Sequence, residues 1–280
     1  MQPLTLIADS GSTKAEWRLP APRKKSVYTQ GISPYFLNTQ QIVELLQAEL
    51  LPQLKKAEVE QVYYYGTGCA NPENAKSIKK ALQTVFPQAS ITVDTDLMAA
   101  ARAGCGHEKG LACILGTGSN SCYFNGKKIT RNSPGLGYVL GDEGSGAYLG
   151  KKVLQYYLYE TFDEELRARF DATFSTNRVD ILDQVYKKPL PNRYLSSFTP
   201  FLAENRGHYM IENIIEDGLN DFFFQHLNRF PEVWKYPVHF VGGVAWGFRD
   251  VVLELCKSYG FDAGRILKNP MEGLVSYHQQ

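Results

Sequence analysis

The stretch LIADSGSTKAEWRL, Leu6–Leu19, is apolar up to Asp9, turns through Ser10-Gly11-Ser12-Thr13, and resumes as a second alternating segment. Such a turn is either a tight hairpin in which Asp9 makes a local Asx turn, or a cradle whose backbone N–H groups take a phosphate. In the second reading Gly11 and the small serines admit the anion, and Ser12 and Thr13 add hydroxyl donors. Asp9, at the strand's end, then holds a magnesium ion directly or through water. The pattern returns in CILGTGSNSCYFNG, Cys113–Gly126, with Gly118 and Ser119 in the places of Gly11 and Ser12. Two regions that open on the same hairpin suggest a duplicated architecture, with the two turns available to one ligand if the halves face each other.

At 280 residues the chain has room for one large domain or two of ordinary size. Its 44% hydrophobic and 21% charged residues are those of a globular protein with a substantial core. A formal charge of +1 gives no bulk attraction to nucleic acid or to an anionic membrane. No apolar run approaches the roughly 20 residues that span a bilayer. The opening MQPLTLIADS lacks a basic, apolar, small-residue leader pattern, and the five cysteines lack CxxC spacing. The expectation is a cytoplasmic protein with reduced thiols, no nucleic-acid or membrane partner, and a homodimer left open.

Apolar strands are expected at 4–9, 14–19, 26–30, 61–65 and 90–93, with helices at 39–51 and 72–86. Alternating strands and amphipathic helices read as an α/β domain with a mixed or parallel sheet. The Gly-rich segment 103–110 looks like a boundary. Beyond it, strands are expected at 111–115, 120–124, 127–130 and 237–241. Helices are expected at 146–160, 179–187, about 195–205 and 208–228, with a short one over 271–278. The domains are read as 1–105 and 106–280, the last helix free to pack back on the first.

Four further constellations bear on chemistry. Gly116-Thr117-Gly118-Ser119-Asn120 comes after a strand but lacks the third glycine of a dinucleotide fingerprint and the Lys-Ser/Thr of a P-loop; its continuation, SCYFNGKKIT, reads as a hairpin. It is a phosphate loop on a hairpin or a plain turn. In TVDTDLMAAARAG, Asp96 either caps the next helix or stands at a strand's C-terminal edge as a proton acceptor for a hydroxyl. In GLGYVLGDEGSGAYLG, six glycines surround Asp142-Glu143. Capping explains the acids but not the glycines, and Asp142 can bind two neighbouring sugar hydroxyls. In HFVGGVAWGF, Gly242-Gly243 is either a plain structural turn after a strand or a place where a flat ring approaches closely. The histidines show no metal-ligand spacing and no triad.

The order DSGSTK, DTD, GTGSNS, GDEGSG, VGGV resembles the N-acetylglucosamine kinase and BadF/BadG/BcrA/BcrD ATPase family, within the sugar kinase and actin-like ATPase superfamily. The resemblance spans Asp9 to Gly243, and GTGSNS with GDEGSG and an upstream DTD is its specific part. It implies an α/β fold of two RNase H-like domains with a central cleft that closes on ATP, magnesium and a sugar. By matched position it implies Gly11, Ser12 and Thr13 as the first phosphate loop, with Asp9 as the magnesium-linked acid. It makes Gly116, Thr117 and Gly118 the second loop and Gly242 and Gly243 the adenosine site. Asp96 matches the catalytic base, and Asp142, Thr117 and Asn120 match sugar-binding residues. Similar kinases carry a sugar-contacting Asn where GISPYF lies here. Tyr35 takes the nearest place, available to stack on a ring.

The resulting expectation is an ATP-dependent kinase acting on the primary hydroxyl of an amino sugar, N-acetylglucosamine foremost. The alternative is a regulatory or activator ATPase acting on a protein partner. Activators that look like this group hold an iron–sulfur cluster through paired cysteines, and no convincing pair is present.

Overall fold

The computed structural model describes residues 4–11, 14–20, 25–55 and 57–279. The chain divides into two compact units, residues 1–108 with 269–280, and residues 109–268. The helix Met271–Gln279 is counted with the first unit, where it packs on the helix Asp96–Cys105.

The first unit is built on a five-stranded sheet of β1 (Thr5–Ser10), β2 (Lys14–Leu19), β3 (Lys25–Gln30), β4 (Gln61–Gly66) and β5 (Ser90–Thr95), in the order β3-β2-β1-β4-β5. Strands β1, β2 and β3 form an antiparallel meander, whereas β1, β4 and β5 run parallel. Parallel neighbours need helical crossovers, which 39–54 and Pro72–Val85 supply. Ile42, Leu46, Leu50, Ile78 and Leu82 point inward from them onto Leu6, Trp17 and Tyr64, all fully buried. Each such side chain contributes roughly 1.5–3 kcal/mol on burial.

The second unit repeats this plan. Its sheet contains β6 (Lys109–Leu115), β7 (Ser119–Asn125), β8 (Ile129–Asn132), β9 (Val238–Val241) and β10 (Ala263–Leu267), ordered β10-β9-β6-β7-β8. Strand β6 opens an antiparallel meander on one side and a parallel pair on the other, as β1 does in the first sheet. The fold is the duplicated α/β architecture that the two hairpins imply, on the RNase H-like plan that the family resemblance implies. An aromatic cluster of Phe162, Phe170, Phe198 and Phe201 fills its helical side.

Several elements depart from the expected ones. The 39–51 helix is α-helical only to Leu45 and then widens into a π turn over Leu46–Leu50; the helix read over 208–228 does the same after Phe222. Strand β8 lies two residues beyond the expected 127–130. Strand β10 and the helices Glu164–Thr173, Gly243–Gly247 and Arg249–Tyr259 were not anticipated. Strand β10 is a sheet edge bearing Arg265, so it lacks the apolar run of a central strand. No helix among the described residues is long and apolar enough to cross a membrane.

Candidate active site

Parallel pairing brings the first unit's candidate acids to one sheet edge. In register, Asp9 pairs with Tyr65 and Tyr65 with Asp94, so the C-terminal ends of β1, β4 and β5 lie level. That edge is where open α/β sheets hold their ligands. The helix after β5 is capped by Thr95, whose hydroxyl accepts from the Met98 N–H at 3.1 Å. Asp96 is the first helical residue and is therefore not needed as the cap.

The Asp96 carboxylate is held from two directions. Its Oδ1 accepts from the Leu97 N–H at 2.8 Å, and its Oδ2 accepts from the Thr67 hydroxyl at 3.1 Å. Thr67 leaves the end of β4, with its N–H donating to the Ser10 carbonyl at 3.2 Å. Burial raises the Asp96 pKa above the ordinary carboxylate value, and the Thr67 and Leu97 hydrogen bonds oppose that rise. Asp9, within β1, is pushed up to about 7 by burial, then by the charges of Asp96 and Glu16.

Two partly buried carboxylates with raised proton affinity form an oxygen donor set that a divalent cation would relieve. Magnesium takes one or two carboxylates and completes its shell with water and phosphate, so Asp9 fits that ion. No cluster of three acidic, His or Cys ligands occurs among the described residues.

In the β1–β2 turn, the Gly11 N–H donates to the Lys14 carbonyl at 3.1 Å, closing a hairpin. Ser10 is buried and its hydroxyl accepts from the Ile32 N–H at 3.1 Å, which makes it structural. Ser12 and Thr13 lie outside the described residues. Tyr35, 65% exposed, lays its ring on Gly68, where a Cβ would meet the Tyr35 Cε2 at 2.9 Å. Since Gly68 comes directly after Thr67, Tyr35 belongs to the same edge as Asp96.

In the second unit, the 116–118 turn and the Asp142 loop are locked together. The Gly116 N–H donates to the Gly118 carbonyl at 3.0 Å. The carbonyls of Gly116 and Thr117 accept from the N–H groups of Gly146 and Ala147, at 2.7 and 3.0 Å. The helix Gly146–Leu158 is capped by Ser145, not by the acids before it. Asp142 instead sits in the left-handed region, at φ 59°, with its carboxylate against Gly118. A Cβ on Gly118 would lie 3.0 Å from the Asp142 Oδ2, so the carboxylate takes up the space a side chain there would use. Burial raises the Asp142 pKa, the Ser119 N–H opposes the rise, and Glu143 adds to it.

The neighbouring Glu143 bonds the buried His226 Nε2 at 3.0 Å. The two adjacent acids thus have separate tasks. Asn120 packs its amide under Gly135, and its Oδ1 accepts from the Ser121 N–H. Ser119, which sequence reasoning did not single out as a site residue, carries a buried hydroxyl with no hydrogen-bond partner among the described residues.

Gly242, at φ 134°, presses on the start of the same turn. A Cβ there would lie 2.2 Å from the Leu115 carbonyl oxygen and 3.1 Å from the Gly116 nitrogen. Gly243 faces open space and begins a short helix. Gly116, Thr117, Gly118, Asn120, Asp142 and Gly242 therefore form one neighbourhood in the second unit, as Asp9, Asp96 and Tyr35 do in the first. Thr67 escaped the sequence reading because its link to Asp96 arises only from the pairing of β4 with β5.

No protein-family model matches the chain. A solved structure from Porphyromonas gingivalis, described as a candidate N-acetylglucosamine kinase, is 38% identical with a TM-score of 0.93 and 98% of each chain covered. A Clostridium acetobutylicum protein named N-acetylmuramic acid/N-acetylglucosamine kinase is 22% identical over 232 residues, 77% of this chain and 75% of its own. A ROK family glucokinase from Streptomyces griseus, solved with glucose and AMPPNP, has a TM-score of 0.57 at 17% identity, covering 99% of this chain and 98% of its own. At that identity the likeness is one of fold.

Proposed function

The chain belongs to the N-acetylglucosamine kinase family of the sugar kinase and actin-like ATPase superfamily, and on that premise we propose that it is an ATP-dependent kinase phosphorylating the primary hydroxyl of an amino sugar, N-acetylglucosamine foremost. The observation that most supports a transfer to a hydroxyl is the state of Asp96: released from capping by Thr95, oriented by Thr67, and raised in proton affinity by burial.

In this reading the Asp96 carboxylate accepts the proton of the primary hydroxyl as the sugar oxygen forms its bond to the γ-phosphorus. The bond from that phosphorus to the β,γ-bridging oxygen breaks, ADP leaves, and the proton later passes from Asp96 to water. Asp142 binds the sugar through ring hydroxyls, aided by Thr117 and Asn120, and Tyr35 offers an aromatic face. The Gly11 and Gly116–Gly118 turns present backbone to the phosphates, with Ser12 and Thr13 in the first of them. Gly242 and Gly243 leave room for the adenosine. Asp9 is the residue that would hold magnesium, which, when bound, offsets charge on the transferring group. Phosphoryl transfer needs chiefly such positioning and electrostatics.

The activator-ATPase reading gains no support from the cysteines. All five are buried, whereas a cluster shared across an interface needs exposed thiolates.

The test is incubation with ATP, magnesium and a panel of amino sugars, reading ADP and sugar phosphate in equal amounts. Asp96→Asn should remove phosphorylation while ATP still binds. General-base catalysis supplies roughly 10²–10⁴-fold, so a loss below about tenfold sinks the assignment.

A further inference from the structure

Two contacts tie the loop that carries Asp142 to one neighbouring helical segment. Gly144, at φ 70°, lies so close to it that a Cβ there would stand 2.7 Å from the Phe222 Cβ. About one turn further on, the Nε2 of His226 donates to the Glu143 Oε2 at 3.0 Å. His226 is itself fixed. The residue is 5% exposed, and its ring stacks on that of Phe222, with 4.7 Å between centroids and 19° between planes. It stands in the π turn Phe223–Leu227, into which the helix Tyr209–Phe222 widens. Widened turns of this kind are rare and are found frequently at functional sites.

Asp142 needs such a hold. It is a non-glycine residue in the left-handed region, at φ 59°, a conformation that persists only where the surroundings over-determine it. It borders Gly118 and also a cavity of about 50 Å³, lined by Ser119, Asp142, Glu143, Gln225, His226 and Arg229. Close packing therefore restrains the loop only in part, and the bond between Glu143 and His226, both in the cavity's wall, adds what packing leaves out. We propose that His226 is a positioning residue for the sugar: through Glu143 it fixes the residue next to Asp142 and so aims the Asp142 carboxylate at the ring hydroxyls. The inference rests on the reading of Asp142 as a sugar-binding acid. His226 itself need not touch the substrate. A group that binds substrate and transition state alike sets KM and leaves kcat alone, so loss of the tether should appear in the KM for the sugar. Misplacing such a group by 1 Å can cost on the order of a hundredfold, and a smaller displacement about tenfold.

The experiment is a double-mutant cycle on the full-length protein: wild type, His226→Ala, Glu143→Ala and the double variant, with His226→Gln beside them. It measures kcat and the KM values for N-acetylglucosamine and for ATP. Each single alanine variant should raise the KM for the sugar about tenfold, with kcat and the KM for ATP little changed. Because the two side chains act as one tether, the double variant should exceed either single by no more than about twofold. His226→Gln, whose amide offers a donor in place of Nε2, should recover most of the sugar affinity. An unchanged KM for the sugar in both single variants overturns the proposal, as do single effects that multiply in the double. A rise shared equally by the KM for ATP, or a fall confined to kcat, overturns it too. Should His226→Ala not fold, Glu143→Ala decides by the same criteria, since it removes the same bond from the more exposed partner. If the wild type phosphorylates no amino sugar, the kinase reading fails and takes the proposal with it; with an active wild type, only the proposal is at stake.

Discussion

Replacing Thr67 by Val removes one hydroxyl and leaves the side-chain shape nearly unchanged. That hydroxyl donates to the Asp96 Oδ2 at 3.1 Å, and donation to a carboxylate favours its charged form. Burial acts the other way and is the larger effect, so Asp96 already sits above the usual carboxylate range. Without the donor the protonated form gains further, and a protonated Asp96 cannot accept a proton from the sugar. A hydrogen bond to a charged group is worth about 1.5–3 kcal/mol, and Thr67 is exposed to competing water, so the lower end applies. At about 1.4 kcal/mol per decade this is about tenfold. The assay is the pH profile of kcat/KM for the sugar. The acid limb should move to higher pH, with rates on that limb falling about tenfold and the plateau little altered; Thr67→Ser should restore the wild-type limb. A loss uniform across pH, or an unmoved limb, would show that Thr67 does not act through the protonation of Asp96.

Two other substitutions probe the remaining parts of the site. Gly118→Ala places a methyl 3.0 Å from the Asp142 Oδ2, tighter than an ordinary contact, and the carboxylate must give by a few tenths of an ångström. We expect kcat/KM for the sugar to fall about tenfold while the melting temperature hardly moves, since misplacement of a binding group costs rate more than stability; an unchanged sugar KM would dissociate Asp142 from sugar binding. Asp9→Asn keeps the shape and removes a charge that Asp96 and Glu16 repel. The magnesium concentration for half-maximal activity should rise about tenfold or more, with no loss of melting temperature; an unaltered magnesium requirement would remove Asp9 from the ion's shell.

Much of the fold was legible because it is carried by local pattern. LIADSGSTKAEWRL and CILGTGSNSCYFNG each hold a complete hairpin, and both head their sheets in the same relative place. Strand β10 and the helix Arg249–Tyr259 were missed for different reasons. The strand is a short edge with little apolar content. The helix has a readable stripe in Val251, Val252 and Cys256 and a left-handed stop at Gly260, which went unweighed beside the Gly242-Gly243 turn.

At the site, the acids drew notice as capping candidates, yet a hydroxyl one place before Asp96, and another one place before Gly146, does the capping. A sequence shows that a cap is present in Asp94-Thr95-Asp96 without showing which side chain makes it. Thr67 and Ser119 were illegible in a stronger sense. Their surroundings come from strand register and from a loop 23 residues away, neither of which local spacing encodes.

The division of the chain also fixes an order of assembly. Residues 269–280 complete the first unit, yet the ribosome makes them only after all of residues 109–268. Until they arrive, the flank of the Asp96 helix at Ala103, which later meets Gly273, is bare, and Tyr65 lacks the His278 ring nitrogen that its hydroxyl meets at 2.8 Å. The second unit can fold during synthesis as a continuous segment, whereas the unit bearing the proposed base must wait. A nascent chain stalled before residue 269 would thus carry every residue of the unit with Asp142 and a first unit still without its last helix.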